Sequence, residues 1–576
     1  MRTHIRRLRA SASLAASLAA SLAAALAAVL ITLLLAPAIH AAEPVVPGAG
    51  SILQQTQSVV PPAPSSNGTG LAIEPPGGGA LPPSAPFLVR VIQLSGNTVF
   101  DTATLRDLVA EAEGKNLTLA QLARLAARIT DYYRSHGYPL DRAIVPAQTI
   151  QDGVVRIDII EARYGQVTLE NSSRAADALL QATLAALRSG QAVSQAPLDH
   201  ALLLLSDIPG VAVAGTLKPG EAVGASDLQV DTTPTPTLTG NGALDNDGNR
   251  YTGRARVQGT VSLIEPAKHG DALSLTGLTS GDMDYASLSY EALLNGEGSR
   301  LGGSYSALRY ILGDTLRPLD GRGSAEVDSV WVRHPLVRTP AFNLYGQIQY
   351  DHKQLDDAIG ASDLHTDRHL DDGTASVSGD LRDALLAGGV NTWTVGWTLG
   401  RVGFDDVNAR RDDAGTADTR GRFSLWSVSA SRLQRLGAAD ALYVAVSGQW
   451  SNANLDPAEK MVAGGAYTVR AYDMGVLSAD SGILASIEWR HELGVLWYAR
   501  LQAVGFADSE HVSINHTIWV AGPNSATLSG AGLGLNASWP QQWSAKVYFA
   551  APLGATPVLI GSNDSVRVWL ALNKGF

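Results

Sequence analysis

Between residues 233 and 576 the chain repeats one pattern: segments of about ten residues in which apolar and polar side chains alternate, separated by Gly/Asn/Asp turns. The last segment shows it most plainly. Val566, Val568, Leu570, Leu572 and Phe576 fall on one face, and Arg567, Trp569, Ala571, Asn573 and Gly575 on the other. Side chains alternate with period two along a strand, so one face can meet lipid and the other a lumen. Sixteen strand starts can be placed, near Thr237, Thr252, Asp271, Tyr285, Ser299, Gly323, Phe342, Asp371, Val390, Phe423, Ala441, Gly482, Trp497, Ala526, Trp543 and Ser565. That spacing, roughly 21 residues per strand with its connection, suits a transmembrane barrel of about 16 antiparallel strands with long outer loops. After the N-terminus no run of about 18 apolar residues occurs, so there is no helical span. A closed barrel is the remaining way to satisfy every backbone amide in lipid.

The N-terminal part reads differently. Arg2, Arg6, Arg7 and Arg9 precede an Ala/Leu run that Pro37 breaks before Ile39-His40-Ala41-Ala42, the layout of a secretory signal peptide over 1–42. In 43–86 a short helix is expected near Ser51-Ile52-Leu53-Gln54-Gln55-Thr56-Gln57. Eight prolines and five glycines between Val59 and Pro86 then make a semi-extended linker.

Two small α+β modules follow. In 87–164 a strand at Phe87 to Leu94 leads into a helix at Thr104 to Glu113. Thr118-Leu119-Ala120-Gln121 is a capping box, opening a second helix that puts Leu119, Leu122, Leu125, Ile129 and Tyr132 on one face. Gly137 and Pro139 end it. Strands are expected at 145–150 and 153–161. In 165–232 the order recurs, with helices near 175–188 and 197–206 and strands near 211–217 and 226–232. Both modules are expected to expose sheet edges, which can take an extended peptide as an extra strand.

Composition narrows the function. The net charge of -11 gives no electrostatic footprint for nucleic acid. Cysteine is absent, which excludes disulfides and thiolate metal sites. Asp245-Asn246-Asp247-Gly248-Asn249 lacks the Glu that closes a calcium loop, with Val257 in its place, and reads as a hairpin tip. His352, His365 and His369 lie in an acidic stretch, 351–372, expected to be an outer loop with solvated histidines. No G-x-S-x-G, Walker A loop or paired catalytic carboxylates stand out, so no catalytic residue, metal or cofactor is assigned.

One stretch points inward. Gly464-Gly465-Ala466-Tyr467-Thr468-Val469-Arg470-Ala471-Tyr472 sits in a long non-strand segment, 452–481, and loops of this length are usually functional or disordered. The alternation in 497–508 turns Phe506 and Asp508 toward the lumen, and Glu488 faces inward on the preceding strand. Val469-Arg470-Ala471-Tyr472, followed by Glu488-Trp489-Arg490 and by Phe506-Ala507-Asp508, resembles the inward-folded sixth loop and barrel-wall motifs of two-partner secretion outer-membrane transporters (TpsB, the hemolysin secretion/activation proteins). The commoner motif has Gly at Ala471. The two modules resemble POTRA domains, His136-Gly137-Tyr138-Pro139-Leu140 and Pro146-Ala147-Gln148 matching the first. Asn249-Arg250-Tyr251-Thr252-Gly253 matches the first hairpin.

The resemblance runs from about Ser51 to Phe576 and carries specific expectations. The chain would be an outer-membrane barrel with periplasmic POTRA modules, secreting an unfolded, hemolysin- or adhesin-like exoprotein that docks on edges within 87–232. A helix in 43–86 would plug the lumen. Val469, Arg470 and Tyr472 would anchor the loop, with Asp508 as the partner of Arg470 and Glu488 as its competitor. Phe576 would be the signal read by the barrel-assembly machinery. The alternative within the superfamily is an assembly or insertase factor, which would favour more than two modules.

Overall fold

A computed structural model describes residues 46–56, 64–73, 84–561 and 563–576; the signal segment 1–42 lies outside them. Sixteen antiparallel strands, from Leu238–Asp245 to Arg567–Gly575, close into one barrel in strict sequence order, interrupted only by a small hairpin inside the long loop. The closing pair is short, running from Asn241↔Gly575 to Asp245↔Ala571. Reciprocal backbone bonds between Gly240 and Phe576, 3.0 and 3.1 Å, extend it by one step. Outward side chains such as Leu275, Ile348, Leu533 and Phe549 are exposed, the mark of a wall that faces lipid.

The barrel departs from the sequence reading chiefly at one hairpin. The acidic stretch 351–372 is not a loop: Phe342–Ile359 and Leu364–Asp383 stay paired through it, from Phe342↔Leu381 to Ile359↔Leu364. The histidines are strand residues, each beside an aspartate: His352 with Asp371 at 2.8 Å, His365 with Asp356 at 3.2 Å, His369 with Asp405 at 3.1 Å. A separation of four residues spans about 13 Å along a strand, so His365 and His369 cannot share an ion.

At one end of the barrel hang the two modules. In the first, Val91–Ser95 pairs parallel with Val154–Ile160, and Arg142–Ile144 pairs antiparallel with it. The helix Leu119–Ser135 opens with the capping box: the Thr118 amide donates to Gln121 Oε1 at 2.7 Å, and the Gln121 amide to Thr118 Oγ1 at 3.3 Å. Its buried face is Leu122, Ala126, Ile129 and Tyr133, turned one position from the expected face because the Tyr133 hydroxyl reaches inward to Glu161 at 2.8 Å. The strand expected over 145–150 is absent. Gln148 stands in for it, its side-chain amide making both bonds to Arg156 that a neighbouring backbone would make, each 2.8 Å.

The second module is a four-stranded sheet with one borrowed strand. Leu71–Ile73, from the Pro/Gly-rich linker, pairs parallel with Val211–Pro219, from Leu71↔Gly215 to Ile73↔Leu217. The sequence predicts exposed sheet edges in both modules; in the second, the Val211–Pro219 edge is filled by this strand and the other edge, Arg163–Asn171, is left. Tyr164 packs into the second module's core with Leu180, Leu198 and Leu202.

The joint to the barrel is ionic. Arg338, fully buried, grips the Asp207 carboxylate with two nitrogens at 2.7 and 2.8 Å, while Arg300 donates to the Asp207 carbonyl at 2.6 Å. Such planar, two-point contacts fix orientation as well as distance.

Candidate functional site: the anchored lumen loop

The segment between Asp440–Ser451 and Ser481–Leu496 does not stay outside. It folds into the lumen, where Val469, Ala471 and Tyr472 are fully buried with Phe506, Leu484 and Leu528. Its tip is a tight turn. Gly464 and Gly465 adopt φ of 83° and 128°, values that a side chain resists, and the Tyr472 amide closes back on the Val469 carbonyl at 3.1 Å. Arg470 is thereby presented sideways to the wall.

Arg470 is 5% exposed and meets both candidate carboxylates. Its Nε and Nη2 donate to the two Asp508 oxygens at 2.8 and 2.7 Å, and its backbone amide reaches Asp508 at 3.2 Å. Its Nη1 donates to Glu488 at 2.7 Å. Asp508 and Glu488 are thus joint partners, where the sequence offered them as competitors. Phe506 lies under the guanidinium, 3.6 Å from ring centroid to Cζ. Ser486 donates to Asp508 at 2.7 Å, and Arg490 holds the second Glu488 oxygen at 2.6 Å. The cluster has two acids and one arginine on the wall and one arginine on the loop, so no charge in it is left alone, the condition under which a buried ion pair is tolerated.

Neighbouring contacts complete the lock. Trp569, on the inward face of the last strand, donates its indole N–H to the Arg470 carbonyl at 2.7 Å. Asn563 donates to the Ala471 carbonyl at 3.1 Å. The Ala471 methyl lies where a side chain on Gly530 would stand, 2.4 Å from the position of a Cβ there, so Gly530 makes room for alanine at 471. Asp473 is bound by Arg254 at 3.0 Å and by Arg567 at 2.7 Å. Deeper in the same face, Glu510 is fully buried with the Gly464 amide on one oxygen at 3.4 Å.

The loop's root is held separately. Asp456 pairs with Arg368 at 2.6 Å, Glu459 with Lys353, and Lys460 with Asp480 at 2.9 Å. Arg368 also holds Asp357 at 2.7 Å, and Asp357 accepts the Ala49 amide, at the start of a helix, at 2.7 Å. That helix, Ala49–Thr56, lies in the lumen near the end away from the modules. It buries Ala49, Ile52 and Leu53 against Leu308, Leu355, Leu370 and Phe423. Ser65, further along the same chain, contacts Asp380 and Tyr345 beside the turn at the module end, at 3.1 Å each. The would-be calcium loop is occupied by cations of the chain: Asp245 binds Arg256 at 2.7 Å and Asp247 binds Lys546 at 3.3 Å. Among the described residues no cluster fit to hold a metal exists.

In the modules, two buried acids face the junction. Asp141 accepts the Ala162 amide at 2.7 Å, and burial pushes its carboxyl up to about 7. Burial also acts on Glu161, but bonds from Thr98, Val99 and Tyr133 outweigh it and hold that group below the usual range.

Sequence reasoning misses the Asp473 anchor and Trp569, and it finds Asn249 only as part of the first hairpin, without its bonds to Gln55 and the Met474 carbonyl. Trp569 carries a signal: an aromatic on the mixed face of an otherwise alternating strand. Phe576 stands apart from the loop, at the barrel seam.

A closed barrel thus carries two α+β modules on one end and holds its own loop and helix in its lumen. The family model for the haemolysin secretion/activation protein ShlB/FhaC/HecB matches residues 224–537, and that for the ShlB-type POTRA domain matches 87–162. The heme/hemopexin transporter protein HuxB of Haemophilus influenzae is 25% identical over 481 residues, covering 82% of this chain and 84% of the relative. The outer membrane transporter CdiB of Escherichia coli is 25% identical over 469 residues, 77% of each chain. The solved structure of CdiB from Escherichia coli superposes with a TM-score of 0.66 at 22% identity, covering 91% of this chain and 95% of that one. The chain belongs to the ShlB/FhaC/HecB haemolysin secretion/activation family. It is an outer-membrane transporter of two-partner secretion, with its POTRA domain on the periplasmic side.

Proposed function

We propose that the inward loop is the resting lid of the secretion channel and that Arg470 is its latch, with Asp508 and Glu488 as the keeper. The observation that carries this is the three-sided seat of one buried arginine on two strands of the wall, between Ser481–Leu496 and Ala499–Ser513. Nothing covalent holds the tip, so the whole segment can leave the lumen if that seat is vacated. The helix Ala49–Thr56 is the second obstruction. The client is an unfolded exoprotein, hemolysin- or adhesin-like, which docks on the modules before it crosses. Direction comes from folding of the client outside; the sequence carries no Walker A motif. Phe576, paired at the seam, serves the barrel-assembly machinery as the insertion signal.

Docking requires an edge. The Val211–Pro219 edge is filled by Leu71–Ile73, which leaves the first module and the outer edge of Arg163–Asn171 as the open sites. A chain lacking 87–232 is expected to insert yet secrete nothing. Normal secretion by that variant refutes docking on the modules.

A further inference from the structure

On the outer wall, at the periplasmic end, lies a bowl outside the lumen. Trp497, Tyr498, Trp539, Pro540, Trp543 and Leu572 line a cavity of about 680 Å³. Trp497 and Tyr498 form the two-residue turn between Ser481–Leu496 and Ala499–Ser513, with φ of 47° and 63°. Left-handed backbone at both positions suits Asn-Gly and is unfavourable for a bulky residue. Yet these two aromatics are 86% and 85% exposed. Strain and exposed apolar surface coincide here, and neither is offset by contacts within the described chain. The just-preceding Leu493, Val495 and Leu496 are exposed as well.

Register settles which side of the wall this is. In the last strand Trp569 points inward to the Arg470 carbonyl, so Leu570, Leu572 and Lys574 point outward. Trp543 pairs with Lys574 and shares that outward face. The bowl therefore continues the lipid-facing surface of Leu533, Leu535, Phe549 and Leu570. A polypeptide in the lumen never meets it. The second module covers other turns, where Gly270 meets Leu179 and Gly298 meets Leu204. A cation stands at the rim: Lys574 Nζ donates to the Gln541 carbonyl at 2.6 Å and lies 5.7 Å from the Trp543 ring centroid. Two of its three protons remain for an anion.

We propose that this bowl is a binding site for one glycerophospholipid of the periplasmic leaflet. Its phosphate meets Lys574, and its glycerol region lies among Trp497, Trp539 and Trp543. Its acyl chains follow Leu572 and Leu570 up the wall. Indole and phenol rings suit this depth because one end is apolar and the other polar. The site also borders the short closing seam, where Leu572 is paired with Leu244.

The chain has no cysteine, so Gln541→Cys gives a single labelling site at the bowl rim. The full-length labelled transporter is placed in vesicles of phosphatidylethanolamine and phosphatidylglycerol containing a headgroup spin-labelled phospholipid. Strong quenching is expected, falling several-fold in Lys574→Gln and in Trp497→Ser. Lys574 lies in the C-terminal strand, so Trp497→Ser, on a turn, separates loss of the site from failed assembly, and heat-modifiability checks that each barrel is closed. Native mass spectrometry should show one tightly retained phospholipid in the parent chain and at least about tenfold less in Trp497→Ser. Quenching unchanged by either substitution reduces the bowl to ordinary belt surface. A label shielded from lipid but covered when an exoprotein fragment is added makes it a protein surface. Either result overturns the proposal.

Discussion

Two pieces of the same chain fill one lumen, and they are held by different physics. The loop tip adds charge to an apolar seat: Val469, Ala471 and Tyr472 are buried, and Arg470 sits on Asp508 and Glu488 while Asp473 sits between Arg254 and Arg567. The helix Ala49–Thr56, AGSILQQT, has no charged side chain. It is held by Ile52 and Leu53 in an apolar nest, by the Ala49 amide on Asp357, and by amide contacts of Gln54 with the Ala458 carbonyl and of Gln55 with Asn249. Apolar burial is non-directional and fades smoothly as a segment slides out. A buried ion pair is costly to break halfway, since one charge then stays behind unpaired. The helix is thus suited to leave under modest force and the loop to stay until something replaces its partners. Substitutions should separate the two behaviours, with secretion of a client as the common scale.

The largest loss is expected at the latch. Arg470→Ala strands two acids, and Asp508→Ala strands the arginine; removing one partner of such a buried pair costs about 3–5 kcal/mol. Both variants should insert with the seat vacated, so resting conductance should rise, and secretion should fall to almost nothing because the client meets a loop no longer held in its working position. Lysine at 470 should rescue poorly, because one ammonium cannot span Asp508 and Glu488 as the planar fork does. Arg470→Asp with Asp508→Arg should recover a part of the activity. A double-mutant cycle should find 470 coupled to both 508 and 488, the former more strongly because it accepts two side-chain bonds. Zero coupling to 488 would leave Glu488 as a partner of Arg490 alone.

A smaller loss is expected from shape. Gly530→Ala places a methyl 2.4 Å from the Ala471 methyl, with the Ala551 carbonyl 3.3 Å away on the other side. Overpacking of this kind costs about 1–3 kcal/mol. Secretion should fall partly, and Ala471→Gly in the same chain should restore it. If it does not, the tip is not what Gly530 accommodates.

The barrel and its latch are legible in the sequence for one shared reason. Period-two alternation gives strands and, in the same stroke, says that Glu488 and Asp508 face the lumen. Fifteen of the sixteen starts fall within about four residues of those observed. The exception is Asp371, where the strand begins at Leu364. Beyond the lipid the outer face no longer needs to be apolar, so alternation vanishes while pairing continues, and His352 to His369 resembles a loop. Long-range pairings are hidden for another reason. Leu71–Ile73 is only three residues long and becomes a strand because Val211–Pro219 offers an edge, a fact about a segment 140 residues away. Tyr133 displaces Tyr132 from the core because its hydroxyl finds Glu161, which helical periodicity cannot show.

Removing 49–56 tests the other half of the comparison. Single-channel conductance in planar bilayers should rise, since the lumen loses a helix, while secretion changes by less than about twofold. An unchanged conductance trace would mean that the loop alone closes the pore. A collapse of secretion to the level of Arg470→Ala would mean that the helix is as much a latch as the loop, and the contrast between them would be lost.

The smallest effect, and the sharpest, is expected at Asn249. Its side-chain amide donates to Gln55 on the helix at 3.0 Å and to the Met474 carbonyl on the loop at 3.0 Å, while its oxygen accepts the Tyr251 amide at 2.8 Å. One side chain thus touches both obstructions from the first hairpin of the barrel. Neutral bonds of this kind contribute about 0.5–1.5 kcal/mol each, so Asn249→Ala should neither unfold the barrel nor stop secretion. It should change how the two obstructions move. If the helix leaves first and the loop follows independently, helix openings should become more frequent while loop openings keep their own rate. If both become more frequent together, Asn249 is only a shared weak point. If openings that were correlated in the parent chain become independent, Asn249 is the link that passes departure of the helix on to the loop. Labels on single cysteines introduced at Thr56 and at Ser478 report the two movements separately, because the chain supplies no competing thiol.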